Sequence, residues 1–197
     1  MEFEKTKYNY PDIHSSTIAI IGLGYVGLPL AVEFAKKQKS LLTDENINRS
    51  VIGFDIDEKR IEELESGFDR TNEISKNQIL GVSFLDLTSD INKLIAADIF
   101  IITVPTPIDK NKKPDLKALK NASKTVAKVL KLKRKAKSDT RDIVIPVVIY
   151  ESTVYPGTTE EVCIPLIEKG SQLKCDGLKN LKSFSCGYSP ERINPGD

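Results

Sequence analysis

The chain has 197 residues, 40% of them hydrophobic and 29% charged, which is the composition of a soluble globular domain with enough apolar residues for a core. Its 29 lysines and arginines almost balance 28 aspartates and glutamates, so a net charge of +1 gives no overall field that would attract nucleic acid or an anionic membrane. No segment approaches the roughly 20 apolar residues of a membrane span, and the N-terminus lacks the apolar stretch of a secretion signal. We therefore expect a cytoplasmic protein. Its expected partner is a small molecule, with no nucleic-acid and no membrane partner.

Short β-branched runs alternate with longer amphipathic stretches along the chain. This alternation is typical of βαβ units and predicts an α/β fold, a Rossmann-type doubly wound and mainly parallel sheet with helices on both faces. The predicted strands are residues 17–21, 51–55, 99–104, 143–150 and 184–187. The predicted helices are residues 25–37, 57–66, 115–130 and 158–169. A weaker pattern suggests a strand at 82–87 and a short helix at 91–96.

Two polar segments, 38–49 and 131–142, are longer than the usual connections of α/β units, so we expect surface insertions there. The basic run LKLKRKAK at 130–137 has no interleaved aromatic residue, and we interpret it as a solvated loop or frayed helix end rather than a nucleic-acid patch. Three cysteines, spaced neither as a disulfide framework nor as a zinc site, are predicted to be structural thiols, and no metal site is expected. They are Cys163, Cys175 and Cys186.

A glycine-rich motif follows the first predicted strand and opens the first predicted helix. Its sequence GLGYVG places Gly22, Gly24 and Gly27 in the G-x-G-x-x-G spacing. In this context the first glycine makes a tight turn, the second lets the backbone approach a pyrophosphate, and the third lets helix and strand pack closely. The amides of Tyr25 and Val26 would face an anion at the helix N-terminus. The motif predicts a dinucleotide site, with a glycine-rich turn that binds nothing as the alternative.

The second predicted strand ends in VIGFDID, where Asp55 can accept hydrogen bonds from the ribose hydroxyls of an adenosine. It lies 28 residues after Gly27 instead of about 20, and the 38–49 insertion explains the excess. A carboxylate here repels a 2′-phosphate, which favours NAD over NADP. Asp57 is the predicted N-cap of the following helix. Arg60 could reach the adenosine side, although an isolated arginine at such a position is more often solvated.

Two further strand ends reach the same carboxyl edge of the predicted sheet, where open α/β sheets bind their ligands. In IITVPTP, at 101–107, two prolines stiffen the loop around Thr106. In IYESTVYPGTT, at 149–159, Ser152 and Thr153 leave a strand, and a proline–glycine pair turns into a helix capped by Thr158 or Thr159.

Five motifs in this order resemble the UDP-glucose/GDP-mannose dehydrogenase family, most closely its UDP-N-acetylhexosamine 6-dehydrogenase branch. They are GLGYVGLPLA, FDID with Arg60, VPTP, ESTVYPG and YSPERINPGD, and they span residues 18–197. The resemblance implies NAD as the cofactor and a UDP-N-acetylhexosamine as the substrate. Its C6 alcohol would be oxidised to the uronic acid in two NAD-dependent steps, for the synthesis of polysaccharide precursors.

The resemblance also implies roles for individual residues. The family's NAD contacts fall on Gly22, Gly24, Tyr25, Val26, Gly27, Asp55, Arg60, Thr106, Thr153 and Thr159. Glu191 matches the glutamate beside the reacting sugar carbon, and the catalytic set also includes Thr153. Arg192 and Ile193 match positions that contact the nucleotide sugar. Pro195 stands where the UDP-glucose branch carries a second glutamate, which argues against UDP-glucose as the substrate.

The family's nucleophilic cysteine and its oxyanion-stabilising lysine are expected beyond residue 197, and none of the three cysteines here matches the nucleophile. We therefore expect residues 1–16 to be an N-terminal lead and 17–197 to be an NAD-binding Rossmann domain, with the family's middle and C-terminal domains absent. This domain is expected to bind NAD without turnover. The full-length enzyme is expected to be a homodimer or larger. The alternatives are a free-standing NAD-binding sensor or regulatory module and, among enzymes, a two-domain hydroxyacid-type dehydrogenase.

Overall fold

A computed structural model of the chain describes residues 7–12, 14–40, 43–108, 113–136, 142–177 and 183–190. The strands are β1 (Lys7–Asn9), β2 (Ile18–Ile21), β3 (Val51–Phe54), β4 (Leu85–Thr88), β5 (Ile99–Ile102), β6 (Asp142–Val144), β7 (Val147–Tyr150), β8 (Lys174–Cys175) and β9 (Ser183–Tyr188). Seven of them form one sheet in the order β4-β3-β2-β5-β7-β9-β8, and every neighbouring pair is parallel. The predicted Rossmann-type parallel sheet is confirmed.

Helices cover both faces of this sheet. They are α1 (Gly27–Lys36), α2 (Glu58–Glu65), α3 (Lys76–Leu80), α4 (Lys117–Ala136) and α5 (Ile164–Ser171), with a 3₁₀ turn at Lys93–Ala96 and a π-helical turn at Thr159–Cys163. Successive residues of a strand point to opposite faces. On the central strand β2, Ile18 and Ile20 pack in one core with α1 and α2, whereas Ala19 and Ile21 pack in the other with α4 and α5.

The single strand predicted at 143–150 is wrong, because the segment forms two strands, β6 and β7. Pro146 stands between them and has no N–H group to donate to a sheet. Strand β6 pairs instead with β1, which comes from the predicted N-terminal lead. The Ile145 amide continues this pairing by donating to the Asn9 carbonyl at 2.9 Å. The small second sheet therefore anchors residues 7–9 to the domain.

The described residues of both predicted insertions make regular contacts with the rest of the domain. In the 38–49 segment, Lys39 and Asn46 form an antiparallel bridge, and the Ile47 side chain is buried. The segment is also tied to His14, whose carbonyl accepts the Asn48 amide at 2.8 Å. At the second insertion α4 continues to Ala136, so residues 130–136 of the basic run are helical and do not form a loop. In the described part of the chain no helix is long and apolar enough to cross a membrane.

One lysine of the basic run is buried and fastens α4 to the sheet. Lys133 Nζ donates to the Ala97 carbonyl at 2.6 Å and forms an ion pair with Asp98 at 2.9 Å. It also donates to the Ile95 carbonyl at 3.3 Å. The lysine therefore satisfies carbonyl groups at the end of the 3₁₀ turn that precedes β5.

We expect Lys133→Met to lower the free energy of unfolding by about 3 kcal/mol, because the change removes the ammonium group that binds a largely buried carboxylate and several carbonyl groups. Lys131→Met is the matched control, since Lys131 lies two residues earlier on α4 and is exposed. Urea unfolding of both variants measures the difference. Equal stability of the two variants would show that the Lys133 contacts contribute nothing.

Candidate functional site

A cleft runs across the carboxyl ends of β2, β3, β5 and β7. It consists of two cavities, which we name after Asp55 and Thr153, with volumes of about 600 and 640 Å³. Both volumes lie in the range of small-molecule sites. The cavities share part of their lining, formed by Gly24, Thr103, Val104, Pro105 and Pro107. The cleft therefore suits an extended ligand with one end in each cavity.

The glycine-rich turn between β2 and α1 forms the floor shared by the two cavities. Gly22 has a φ of +99°, which favours glycine, and its N–H donates to the Phe54 carbonyl at 2.8 Å. The Thr103 hydroxyl donates to the Gly22 carbonyl at 2.7 Å, and a Cβ on Gly27 would collide with both of these oxygens. No side chain caps α1 at Val26, and the Leu28 amide donates to the Gly24 carbonyl at 3.1 Å, so an anion would meet the amides of Tyr25 and Val26 ahead of it.

Asp55 lies at the end of β3, and its carboxylate is already oriented by two amides. Oδ2 accepts the Leu23 N–H at 2.8 Å, and Oδ1 accepts the Asp57 N–H at 3.0 Å. A carboxylate offers about four acceptor positions, so each oxygen can still accept a ligand hydroxyl. Asp57 caps α2 by accepting the Lys59 N–H, as predicted. Ile56, between the two aspartates, exposes 81% of its surface beside the Asp55 cavity.

Arg60 is buried, so the interpretation of this residue as a solvated arginine is wrong. Its Nε donates to the Leu23 carbonyl at 2.9 Å, and its Nη2 pairs with Asp69 at 2.6 Å. Nη1 is buried without a hydrogen-bond acceptor in the described chain, and it lies 4.0 Å from a carboxylate oxygen of Glu63. Because Arg60 also lines the Asp55 cavity, this N–H group is suited to donate a hydrogen bond to an oxygen atom of a ligand.

Asp69 holds Arg60 in place and was not predicted from the sequence. Burial works to raise the pKa of Asp69, but hydrogen bonds from Thr71 and Arg60, with a further one from the Ile74 amide, hold it at about 2. The loop that follows α2 is thereby folded over the outer end of the cleft, where Arg70 and Thr71 contribute to the lining.

The lowered pKa of Asp69 predicts a pH dependence of stability. Asp69 contributes stability that is fully present above its unfolded pKa, near 3.9, and is lost as the pH falls through about 2. The contribution is on the order of 2 kcal/mol. We expect Asp69→Asn to be less stable at neutral pH, with the gap from the unmodified protein narrowing between pH 5 and pH 2. Urea unfolding across this range measures the gap, and parallel pH curves would contradict the assignment.

Around the Thr153 cavity, side chains tie the loops after β5 and β7 together. The Thr106 hydroxyl donates to the Thr153 carbonyl at 2.6 Å, and the Ser152 hydroxyl donates to the Val104 carbonyl at 2.5 Å. The Tyr188 hydroxyl, from the end of β9, accepts the Val154 N–H at 3.2 Å and lies 3.4 Å from the Val154 carbonyl. The exposed Thr153 side chain is therefore presented from a loop fixed on two sides.

The remaining predicted site residues are not seen among the residues that line the cleft. The predicted threonine cap after the proline–glycine pair is wrong, because the Thr158 hydroxyl donates to the Tyr155 carbonyl and caps no helix. Thr159 is buried in the π-helical turn and is not part of the lining of either cavity. The predictions for Glu191, Arg192 and Ile193 lie outside the described residues.

The three cysteines are unpaired and largely withdrawn from solvent. Cys163 is buried at the end of the π-helical turn, Cys175 lies in β8, and Cys186 lies in β9. Burial raises the pKa of Cys163 and, with the nearby thiols, raises the pKa of Cys186 to about 12. Because the thiolate is the nucleophilic form, these shifts favour structural rather than catalytic roles.

Comparison with known proteins identifies relatives over nearly the whole chain. Residues 16–197 match the model of the UDP-glucose/GDP-mannose dehydrogenase family, NAD binding domain. Protein CapL of Staphylococcus aureus is 51% identical over 180 residues, and the UDP-N-acetyl-D-glucosamine 6-dehydrogenase of Pseudomonas aeruginosa is 49% identical over 180 residues. Each alignment covers 91% of this chain and 36% of the relative. The chain thus spans little more than a third of the length of these curated relatives.

Solved structures show the same relationship in three dimensions. The UDP-D-ManNAc dehydrogenase of Pyrococcus horikoshii superposes with a TM-score of 0.70 at 32% identity, covering 91% of this chain and 37% of that one. A ternary complex of GDP-mannose dehydrogenase from Pseudomonas aeruginosa gives a TM-score of 0.71 at 26% identity, covering 90% of this chain and 36% of that one. Because the family model matches residues 16–197, the chain belongs to the UDP-glucose/GDP-mannose dehydrogenase family, as its NAD-binding domain.

Proposed function

We propose that this chain is the cofactor-binding part of a cytoplasmic UDP-N-acetylhexosamine 6-dehydrogenase, which oxidises the C6 alcohol of its sugar to a carboxylate in two NAD-dependent steps. The observation that carries the proposal is the 49% identity to the Pseudomonas aeruginosa UDP-N-acetyl-D-glucosamine 6-dehydrogenase, and the two-cavity cleft supports it. The uronic acid would serve polysaccharide precursor synthesis. We expect the full-length enzyme to be a homodimer or larger and to have no nucleic-acid partner.

The Asp55 cavity fits the adenosine half of NAD. The carboxylate of Asp55 would accept the ribose hydroxyls, and its charge would repel the additional phosphate of NADP. Ile56 offers an exposed apolar surface on which the adenine ring would pack. The unpaired Nη1 of Arg60 would gain an acceptor on the same half of the cofactor.

The shared floor and the Thr153 cavity fit the rest of the cofactor. The amides at the start of α1 would face the diphosphate, because a helix N-terminus attracts anions. Thr106 and Thr153 would orient the nicotinamide from the loops after β5 and β7. Bound NAD supplies the hydride acceptor, while the chain's own residues fix where the sugar carbon must approach.

The catalytic and substrate contacts are proposed from the family resemblance. Glu191 would assist proton movement at the reacting carbon, and Arg192 and Ile193 would contact the nucleotide sugar. The position of the preceding residues supports this assignment, since the Ser189 amide donates to the Tyr150 carbonyl at 2.9 Å. This bond holds the start of the SPER motif at the carboxyl end of β7, beside the loop that carries Thr153.

The full-length protein tests the proposal. Supplied with NAD and UDP-N-acetylglucosamine or UDP-N-acetylgalactosamine, it should form two NADH per sugar oxidised, with little activity on UDP-glucose. NAD binding without turnover of any nucleotide sugar would instead support the sensor module.

Glu191→Gln should stop turnover in the full-length protein and leave the NAD dissociation constant almost unchanged, since the change removes an acid–base group and leaves the described cleft intact. Calorimetric titration with NAD and the rate of NADH formation measure the two effects. An unaffected rate would remove Glu191 from the mechanism.

A further inference from the structure

The exposed face of α4 is almost entirely cationic. Its exposed side chains are Lys117, Lys120, Asn121, Lys124, Lys128, Lys131, Arg134 and Lys135. Apart from the asparagine, every one carries a positive charge, and α4 contains no acidic residue. The opposite face is buried in the core against the sheet and α5. We call the seven exposed cationic residues the α4 basic face.

This arrangement is unfavourable for a helix that faces only water. Lys120, Lys124 and Lys128 follow one another at i, i+4 spacing, where like charges repel. Lys117 and Lys131 extend this row at its two ends with i, i+3 spacing, where like charges are also neighbours. Lys117 and Lys120 also lie in the first turns, where the helix dipole disfavours cations. Solvated helices usually relieve such repulsion with interspersed glutamates, and α4 has none. The repulsion would be relieved by an external polyanion.

Within the described chain no ion pair neutralises the α4 basic face. The salt bridge of α4 involves the buried Lys133, which points to Asp98 on the core side. The net charge of +1 is therefore unevenly distributed, because α4 is strongly positive and the rest of the chain is net negative. Charges more than a Debye length of about 8 Å apart are largely screened. A surface in contact with α4 would therefore be attracted by the positive charge of α4 and would be little affected by negative charge elsewhere on the protein.

We propose that the α4 basic face docks the protein on a bilayer surface rich in anionic lipids, which departs from the expectation of no membrane partner that the net charge of +1 gave. Six of its seven cations are lysines, which suffice for diffuse attraction to lipid headgroups, whereas planar bidentate recognition of phosphates favours arginine. A straight helix of 20 residues is about 30 Å long, so its charges can meet a flat surface together.

Other polyanions fit the α4 basic face less well. Nucleic-acid-binding domains are usually basic as a whole, whereas this chain has a pI of about 7.6. Protein interfaces are depleted in lysine and are anchored by aromatic residues, and α4 exposes no aromatic side chain. Since the apolar face of α4 is packed in the core, docking would be electrostatic and would not insert the helix. The inference does not depend on the proposed enzymatic function.

Sedimentation with lipid vesicles tests this docking. The protein should bind vesicles of phosphatidylcholine mixed with phosphatidylglycerol, should not bind phosphatidylcholine alone, and should be released by high salt. Replacing Lys124, Lys128 and Lys131 together by glutamine should weaken binding about a hundredfold, since each lysine near an anionic surface contributes about a fivefold factor. Glutamine keeps a high helix propensity, and circular dichroism verifies the fold.

The matched control replaces three exposed lysines on other helices or at their ends, Lys37, Lys59 and Lys76, by glutamine. It changes the net charge equally and should lower vesicle binding far less. An equal loss in the two triple variants, salt-insensitive binding, or no binding to the anionic vesicles would overturn the proposal. Preferential binding of a short DNA duplex over the vesicles would also overturn it and assign the face to nucleic acid.

Discussion

Gly24→Val should abolish NAD binding while the protein stays folded. Gly24 lines both cavities at the turn where the cofactor diphosphate would approach the backbone, and a Cβ built there meets no protein atom within 4 Å. Its φ is not among the positive values that require glycine. The valine side chain would therefore occupy the cleft rather than strain the fold. We expect the NAD dissociation constant to rise at least about a hundredfold.

Gly27→Ala is the contrasting variant, because its Cβ would collide with the Gly22 carbonyl and the Thr103 hydroxyl. This change should lower the free energy of unfolding by about 3 kcal/mol or more, since packed backbone must move. Calorimetric titration and urea unfolding, applied to both variants, separate a blocked ligand from a damaged fold. A Gly24→Val protein that still binds NAD would show that the cofactor does not lie against this turn.

The sheet and the position of the cleft could be predicted from the sequence because both depend on local patterns. Apolar runs of strand length alternate with amphipathic stretches, so a parallel sheet and two helical layers follow. In such a sheet all strand ends reach one edge, which places the glycine-rich turn, Asp55, Thr106 and Thr153 together. The structure confirms that these four features line one cleft.

The contacts that hold the cleft in shape could not be predicted in the same way. Thr103 and Gly22 are far apart in sequence, as are Tyr188 and Val154, and each pair joins a side chain to a backbone group. Such bonds follow no periodicity and appear only once the strands are in register. Asp69 is closer to Arg60, but a single aspartate in a polar loop resembles any solvated residue until burial is known.

The basic run shows how average properties can mislead. The balanced total charge and the absence of aromatic residues predicted a solvated loop or frayed helix end at 130–137. The structure continues α4 through residues 130–136 of this run and buries Lys133, whereas Lys131, Arg134 and Lys135 are exposed. A helical period of 3.6 residues explains both observations, because it separates the lysines of one run onto opposite faces.

Asp55→Ala should weaken NAD binding and remove most of the selection against NADP. The carboxylate can accept hydrogen bonds from the ribose hydroxyls, and a hydrogen bond to a charged acceptor contributes about 1.5–3 kcal/mol net. We expect the NAD dissociation constant to rise by about tenfold to a hundredfold. Affinity for NADP should fall much less or increase, since the repulsion of its 2′-phosphate is lost.

Asp57→Ala is the matched control, because it removes a neighbouring carboxylate of the same charge that caps α2. It should lower the free energy of unfolding by about 1 kcal/mol and leave the ratio of NAD to NADP affinity nearly unchanged. Calorimetric titration of both variants with each cofactor gives the ratios. If the unmodified protein bound NADP as tightly as NAD, or if the two variants changed the ratio equally, Asp55 would not be the residue that selects the cofactor.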